Sequence, residues 1–184
     1  MKKLLLITGD LATGKSTFGQ ILSERYSITA MYKDKIKEIL SDRVGFGSRE
    51  ENLKLSLATV DMMIYSFSQI SFSGQDMILE ANFKEDELRR IDKIASVNGY
   101  KTLTLVLRAD MDVIYKRFVN RIENENRHPA HISGFDGYDS LKYYIDLGRK
   151  QGCFGKVMEI DANDFSYQSD EAVLSNIDGF IGEE

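Results

Sequence analysis

The sequence predicts an α/β protein with a five-stranded parallel sheet and helices on both faces. Two observations carry the prediction. Short apolar runs alternate with amphipathic stretches along the whole chain, and the first run leads directly into a glycine-rich turn. A third, negative observation sets the organisation. With one proline (Pro129), no low-complexity tract and no internal repeat, nothing divides the 184 residues, so one domain over 1–184 is expected.

Residues 3–8, 28–32, 77–80, 102–108 and 156–161 read as strands. Phe18, Ile21 and Leu22 form the apolar stripe of a first helix. Leu53, Leu57, Val60, Ile64 and Phe67 recur at alternating spacings of four and three, the mark of a long helix over 50–72 with one buried face. Leu88, Ile91, Ile94 and Ala95 form a third stripe, and Val113, Ile114, Phe118 and Ile122 a fourth. Val173, Ile177, Phe180 and Ile181 predict a closing helix. Segments 41–50 (Gly45, Gly47) and 125–139 (Pro129, Gly134, Gly137) escape both periods and are expected as loops. A sheet wound in this way binds ligands beyond the carboxyl ends of its strands.

Composition narrows the classes. Apolar content of 42% and charged content of 29% are those of a soluble globular chain. A formal charge of −5, with signs mixed along the chain, argues against a dedicated nucleic-acid binder, which carries a basic stripe. No run approaches the roughly 18 apolar residues of a membrane span, and the opening residues read as a strand, not a signal peptide. Cys153 is the sole cysteine, so no intrachain disulfide forms and a reducing cytoplasm is the expected compartment.

The strongest signal is Gly9-Asp10-Leu11-Ala12-Thr13-Gly14-Lys15-Ser16, followed by Thr17. It fits G-x-x-x-x-G-K-[ST] at every position and lies between a strand and a helix, as a phosphate-binding loop requires. The glycines permit torsions and close approach that a side chain blocks, and amides of Gly9, Ala12, Thr13, Gly14, Lys15, Ser16 and Thr17 would surround phosphate oxygens. Lys15 would bridge the β- and γ-phosphates of ATP, and the Ser16 hydroxyl would ligate Mg2+. No Asn-Lys-x-Asp guanine motif is present, so a GTPase is not indicated.

The chain resembles the P-loop kinase group, in particular the zeta-toxin, polynucleotide-kinase and chloramphenicol-phosphotransferase type with an AAA-type ATP-binding domain. The resemblance rests on the phosphate loop near the start of the sequence together with the strand-end acids and the later arginines. It implies a three-layer αβα P-loop NTPase fold with a LID insertion over about 117–139. Asp34, after the second strand, takes the place of the acidic residue that meets the acceptor and can act as general base; a helix N-cap explains the same residue. Glu80 ends an apolar strand in the manner of a Walker B acid, with Asn82 close behind, although Asp is the commoner residue there. Its roles are a magnesium or acceptor contact, or an ordinary strand-end charge.

Arg117 and Arg121 project from one helix face, with Arg127 beyond, and resemble LID arginines that neutralise the transferring phosphoryl. Surface ion pairs with Asp110, Asp112, Glu123 or Glu125 are the alternative. Lys33, Lys35 and Lys37 read as a solvated face, with Lys33 or Lys37 able to touch an anionic acceptor. His128 and His131 lack the spacing of a zinc site and read as a polar loop or a substrate contact. Asn163, after the last strand, falls where the resemblance runs the chain past adenine. The expectation is an ATP- and Mg2+-dependent phosphotransferase acting on a small-molecule acceptor. The rivals are an ATP-binding regulatory or toxin-like module and a 5′-polynucleotide kinase.

Overall fold

The computed structural model describes residues 1–124, 127–131 and 137–183. The five expected strands are present as β1 (Lys2–Gly9), β2 (Thr29–Tyr32), β3 (Met77–Glu80), β4 (Tyr100–Arg108) and β5 (Lys156–Asp161). All pair in parallel, in the order β2-β3-β1-β4-β5. Around them lie α1 (Lys15–Tyr26), α2 (Lys33–Val44), α3 (Arg49–Ser73), α4 (Glu85–Val97), α5 (Met111–Asn124), α6 (Tyr138–Arg149) and α7 (Glu171–Gly182). This is the three-layer αβα arrangement of a P-loop NTPase.

The central strand explains why the chain takes this form. Leu4, Leu5, Leu6 and Ile7 are all fully buried, yet they serve two separate cores. Leu4 and Leu6 pack with Met63 and Phe67 of α3 and Ile91 of α4. Leu5 and Ile7 pack with Phe18 and Leu22 of α1 and Ile177 and Phe180 of α7. Successive residues of a strand face opposite sides, so a strand covered on both faces is apolar throughout. Each such side chain contributes about 1.5–3 kcal/mol of burial. Lys3 is buried too, at 1% exposure; its ammonium donates to the Phe180 carbonyl at 2.7 Å and lies 4.8 Å from the Phe180 ring.

Four expectations are corrected. The loop expected over 41–50 contracts to 45–48, because α2 runs on to Val44 with Ser41 buried, and Ser48 caps α3 by accepting from the Glu51 amide. The first turns of α3 do not follow the expected stripe: Leu53 and Leu57 are 52% and 44% exposed, and burial passes to Leu55, Thr59, Val60 and Met63. On α5, Ile122 is likewise exposed. Finally, α6 forms where no helix was expected. Leu141 and Ile145, four apart, join Ile114 and Phe118 of α5 in a third, smaller core. Residues 125–126 and 132–136 of the expected second loop, Gly134 among them, lie outside the described residues. No helix among the described residues is long and apolar enough to cross a membrane.

Candidate active site

Parallel register places Ile7 of β1, Glu80 of β3 and Tyr32 of β2 side by side. The phosphate loop, Asp34 and Glu80 therefore emerge together at one edge of the sheet. Their convergence is a consequence of strand order, which brings β3 between β1 and β2.

The loop itself is held by torsion and by its own hydrogen bonds. Gly9 has φ 120, and a Cβ there would stand 2.1 Å from the Leu107 carbonyl oxygen. Gly14 has φ 82, and its Cβ would meet the Tyr167 hydroxyl at 2.8 Å. Ala12 also adopts a left-handed conformation, at φ 58. Such turns aim successive amides inward and form an anion-binding nest in front of α1. The Asp10 amide donates to the Leu107 carbonyl (2.8 Å), the Thr13 hydroxyl to the Asp10 carbonyl (2.8 Å) and the Tyr167 hydroxyl to the Thr13 carbonyl (2.6 Å). The Lys15 ammonium donates to the carbonyls of Asp10 (2.5 Å) and Gly9 (3.3 Å). Burial pulls its pKa below the ordinary lysine value, against the opposing charges of Glu80, Asp34 and Asp10.

One brace was not foreseen. Asp10 is only 3% exposed, and its carboxylate accepts from the Ala109 amide (3.1 Å), from Arg108 (3.3 Å) and from Arg149 at the end of α6 (3.1 and 2.7 Å). Arg149 also donates to the Ala109 carbonyl at 2.7 Å. The hydrogen bond to Asp10 raises the Arg149 pKa above its usual value.

The Ser16 hydroxyl donates to Glu80 Oε2 at 2.9 Å. Burial pushes the Glu80 carboxyl above the usual range, while the Lys15 charge opposes it. A serine hydroxyl and one carboxylate, both hard oxygen donors beside a phosphate cradle, fit Mg2+, which binds through few protein oxygens and substrate phosphates. Among the described residues no cluster of three or more His, Cys, Asp or Glu gathers as a metal site of another kind.

A cavity of about 740 Å³ opens in front of the loop. Residues 11–17, Asp34, Glu80, Asn82, Arg121 and Arg127 all line it. Asp34 sits exposed in the first turn of α2, whose N-cap is Tyr32 and carries no side-chain cap, so the capping explanation of Asp34 does not hold. Its Oδ1 lies 3.8 Å from His131 Nδ1, and His131 Nε2 lies 3.2 Å from Glu38 Oε1. Burial lowers the His131 pKa, with Asp34 and Glu38 opposing.

Lys37 is buried, not solvated as its neighbours suggested: it donates to the Ala130 carbonyl at 2.9 Å, and burial lowers its pKa. Lys33 lines the cavity, whereas Lys35 stays in solvent beside Glu38. Asn52 donates to the same Ala130 carbonyl at 3.2 Å. The Oδ1 atoms of Asn52 and of Asn82 are buried and meet no hydrogen-bond donor among the described residues. His128 lies outside the cavity's lining and meets Asp42 at 3.0 Å.

The two helical arginines part company. Arg121 faces the cavity. Arg117 instead donates to the carbonyls of Ala12 (3.3 Å), Ala162 (2.8 Å) and Asn163 (2.9 Å), and stacks 4.1 Å from the Phe165 ring. The Asn163 side chain accepts from the Asp110 amide at 2.7 Å. Sequence reasoning passed over Asp10, Arg149 and Asn52. Only Asp10 left a signal, as an acid inside an anion-binding loop, where it requires a cation of its own.

A family model described as an AAA domain matches residues 5–134. No curated protein matches the chain. Among solved structures, a "putative kinase" from Chloroflexus aurantiacus j-10-fl is 26% identical with a TM-score of 0.82, over 97% of this chain and 97% of that one. Shikimate kinase from Aquifex aeolicus vf5 is 15% identical with a TM-score of 0.59, over 98% and 99%. A gluconokinase from Sinorhizobium meliloti 1021 is 11% identical with a TM-score of 0.59, over 97% and 95%. The chain is thus similar in structure to P-loop kinases.

Proposed function

The chain belongs to the AAA domain family, and on that premise we propose that it transfers the γ-phosphoryl group of Mg-ATP to a hydroxyl of a small-molecule acceptor. The observation that carries the reading is that Asp34 lines the same cavity as Lys15, Ser16 and Glu80. A nucleotide-binding module needs the last three. A carboxylate in front of them, exposed in the first turn of α2, is what an acceptor requires.

In this reading the amides of 12–17 and Lys15 hold the β- and γ-phosphates. Ser16 and Glu80 would hold Mg2+, which when bound neutralises charge on the phosphate oxygens. Asp34 takes the proton of the acceptor hydroxyl as its oxygen bonds to phosphorus. Arg121 and Arg127 supply positive charge to the phosphoryl oxygens. Arg117 acts through the backbone it grips, fixing Ala12 and the 162–163 turn.

Transfer of labelled γ-phosphate to pooled acceptors (sugars, nucleosides, shikimate, gluconate, apolar alcohols and oligonucleotides) tests the reading. Asp34→Asn is expected to lower transfer about 10²–10⁴-fold with ATP binding retained, and Lys15→Ala to lose ATP binding. Equal transfer by wild type and Asp34→Asn would defeat the assignment of the base. Hydrolysis alone, with no labelled product from any acceptor, would favour the regulatory-module reading.

A further inference from the structure

A second cavity, of about 550 Å³, adjoins the first. Leu11, Lys33, Leu53, Ser56, Asn82 and Tyr144 line both. Its further walls include Leu57 of α3 and Leu147 of α6. Leu53, Leu57, Tyr144 and Leu147 are each 44–52% exposed, on two helices that face one concavity. Single exposed apolar residues are ordinary, but a cluster around a cavity marks a binding surface. The departure of Leu53 and Leu57 from their expected burial thus has a place to go. The helical stripe continues past the core and ends in this chamber.

Some of the charges that line the chamber are answered within the chain, while Lys84 and Asp86 are exposed to solvent and Lys33, half-buried, lines both cavities. Arg89 pairs with Glu85 (3.1 Å), Arg108 with Asp10 (3.3 Å), and Glu87 accepts from the Lys84 amide (2.8 Å). Asn82 lines both cavities, and its buried carbonyl oxygen has no donor among the described residues. A buried acceptor without a partner costs about 1–3 kcal/mol, which a ligand hydroxyl would recover.

We propose that this chamber holds the body of the acceptor, and that the acceptor is an amphipathic alcohol. Its hydroxyl end lies between Asn82 and Asp34, and its uncharged apolar body lies between Leu57 and Leu147. The proposal rests on the phosphotransferase reading. The acceptor oxygen bonds to the γ-phosphorus as the bond to the β–γ bridging oxygen breaks. The hydroxyl proton passes to Asp34, and the products are ADP and a phosphate monoester.

The test is displacement of the fluorescent amphiphile 1-anilinonaphthalene-8-sulfonate by straight-chain 1-alkanols from propanol to octanol, with Mg2+ and the β,γ-imido analogue of ATP present. Affinity is expected to rise roughly three- to fourfold per methylene. In Leu57→Glu and in Leu147→Glu the dependence on chain length should flatten. Met62→Glu, exposed on the same helix but lining neither cavity, should keep it. Absence of dye binding, a series flat in wild type, or a rise that survives both glutamate variants overturns the chamber. Labelled transfer to octan-1-ol is read separately. Length-dependent binding without transfer to octan-1-ol, while another acceptor of the pool is labelled, keeps the phosphotransferase reading and overturns the chamber as its acceptor site. Length-dependent binding with no acceptor labelled overturns the phosphotransferase reading, and transfer with no length dependence overturns the chamber.

Discussion

The two sides of the main cavity are built on different terms. On the phosphate-loop side the buried charged groups are met by the chain itself: Asp10 by Arg149 and Arg108, Lys15 by two carbonyls, Glu80 by Ser16. Elsewhere around the cavity, among the described residues, the amide oxygens of Asn52 on α3 and of Asn82 beyond β3 have no donor, and apolar side chains stand in the open. A side whose polar groups are already paired holds its shape and loses stability when a partner is removed. A side with unmatched groups costs stability as it stands, and recovers it by binding.

Removing a partner on the loop side and removing an unmatched oxygen across from it should therefore differ in sign. The largest effect is expected on the loop side. Arg149→Ala strips two hydrogen bonds from a carboxylate that is 3% exposed. Because the arginine side chain is itself 36% exposed, solvent screening brings the cost below the roughly 3–5 kcal/mol of a fully buried pair, to about 2 kcal/mol. Thermal denaturation should show Tm lower by about 4–8 °C, and ATP titration should show weaker binding. Arg149→Lys should restore part of both. An unchanged Tm would mean that Arg108 and the Ala109 amide suffice for Asp10.

The next effect belongs to Glu80 and has a pH signature. Its folded pKa is raised by burial, so the protonated group's stability is fully present below the unfolded value of 4.5 and is lost as pH rises through the folded pKa. Glu80→Gln removes that loss. It should raise Tm at neutral pH without nucleotide, by a few degrees, with the gain vanishing toward pH 4.5. The same variant should lose the Mg2+ dependence of ATP binding. A gain independent of pH would show that the buried charge is not its source.

The smallest effect, and of the opposite sign to Arg149→Ala, is expected across the cavity. Asn82→Ala removes an oxygen with no partner from a wall that already borders open space, so stability should hold or rise by up to about 1 kcal/mol. Acceptor KM should increase in the same variant. A clear fall in Tm would move Asn82 to the paired side of the comparison.

The uneven legibility of the sequence follows the same division. The five strands and the phosphate loop are written in local pattern, because a strand buried on both faces is apolar at every position and the loop's torsions demand glycine at fixed places. Strand order is not local, and it alone brings Asp34, Glu80 and Lys15 together. The sequence reading of α3 as one long stripe failed at Leu53 and Leu57, since periodicity marks an apolar face without saying what covers it. Arg117 and Arg121 share a helix face yet diverge, because an arginine's reach lets neighbouring carbonyls capture one of them. Lys37 looked solvated among charged neighbours, and only the approach of Ala130, 93 residues later, buries it.

The Lys3 ammonium sets a timetable for synthesis. Its carbonyl partner is 177 residues further along the chain. At ordinary translation rates roughly ten to thirty-five seconds separate the two residues. Throughout that interval the Lys3 ammonium lacks the carbonyl that meets it in the folded chain. Of the five strands, β1 is made before the other four, and for this contact it waits on α7.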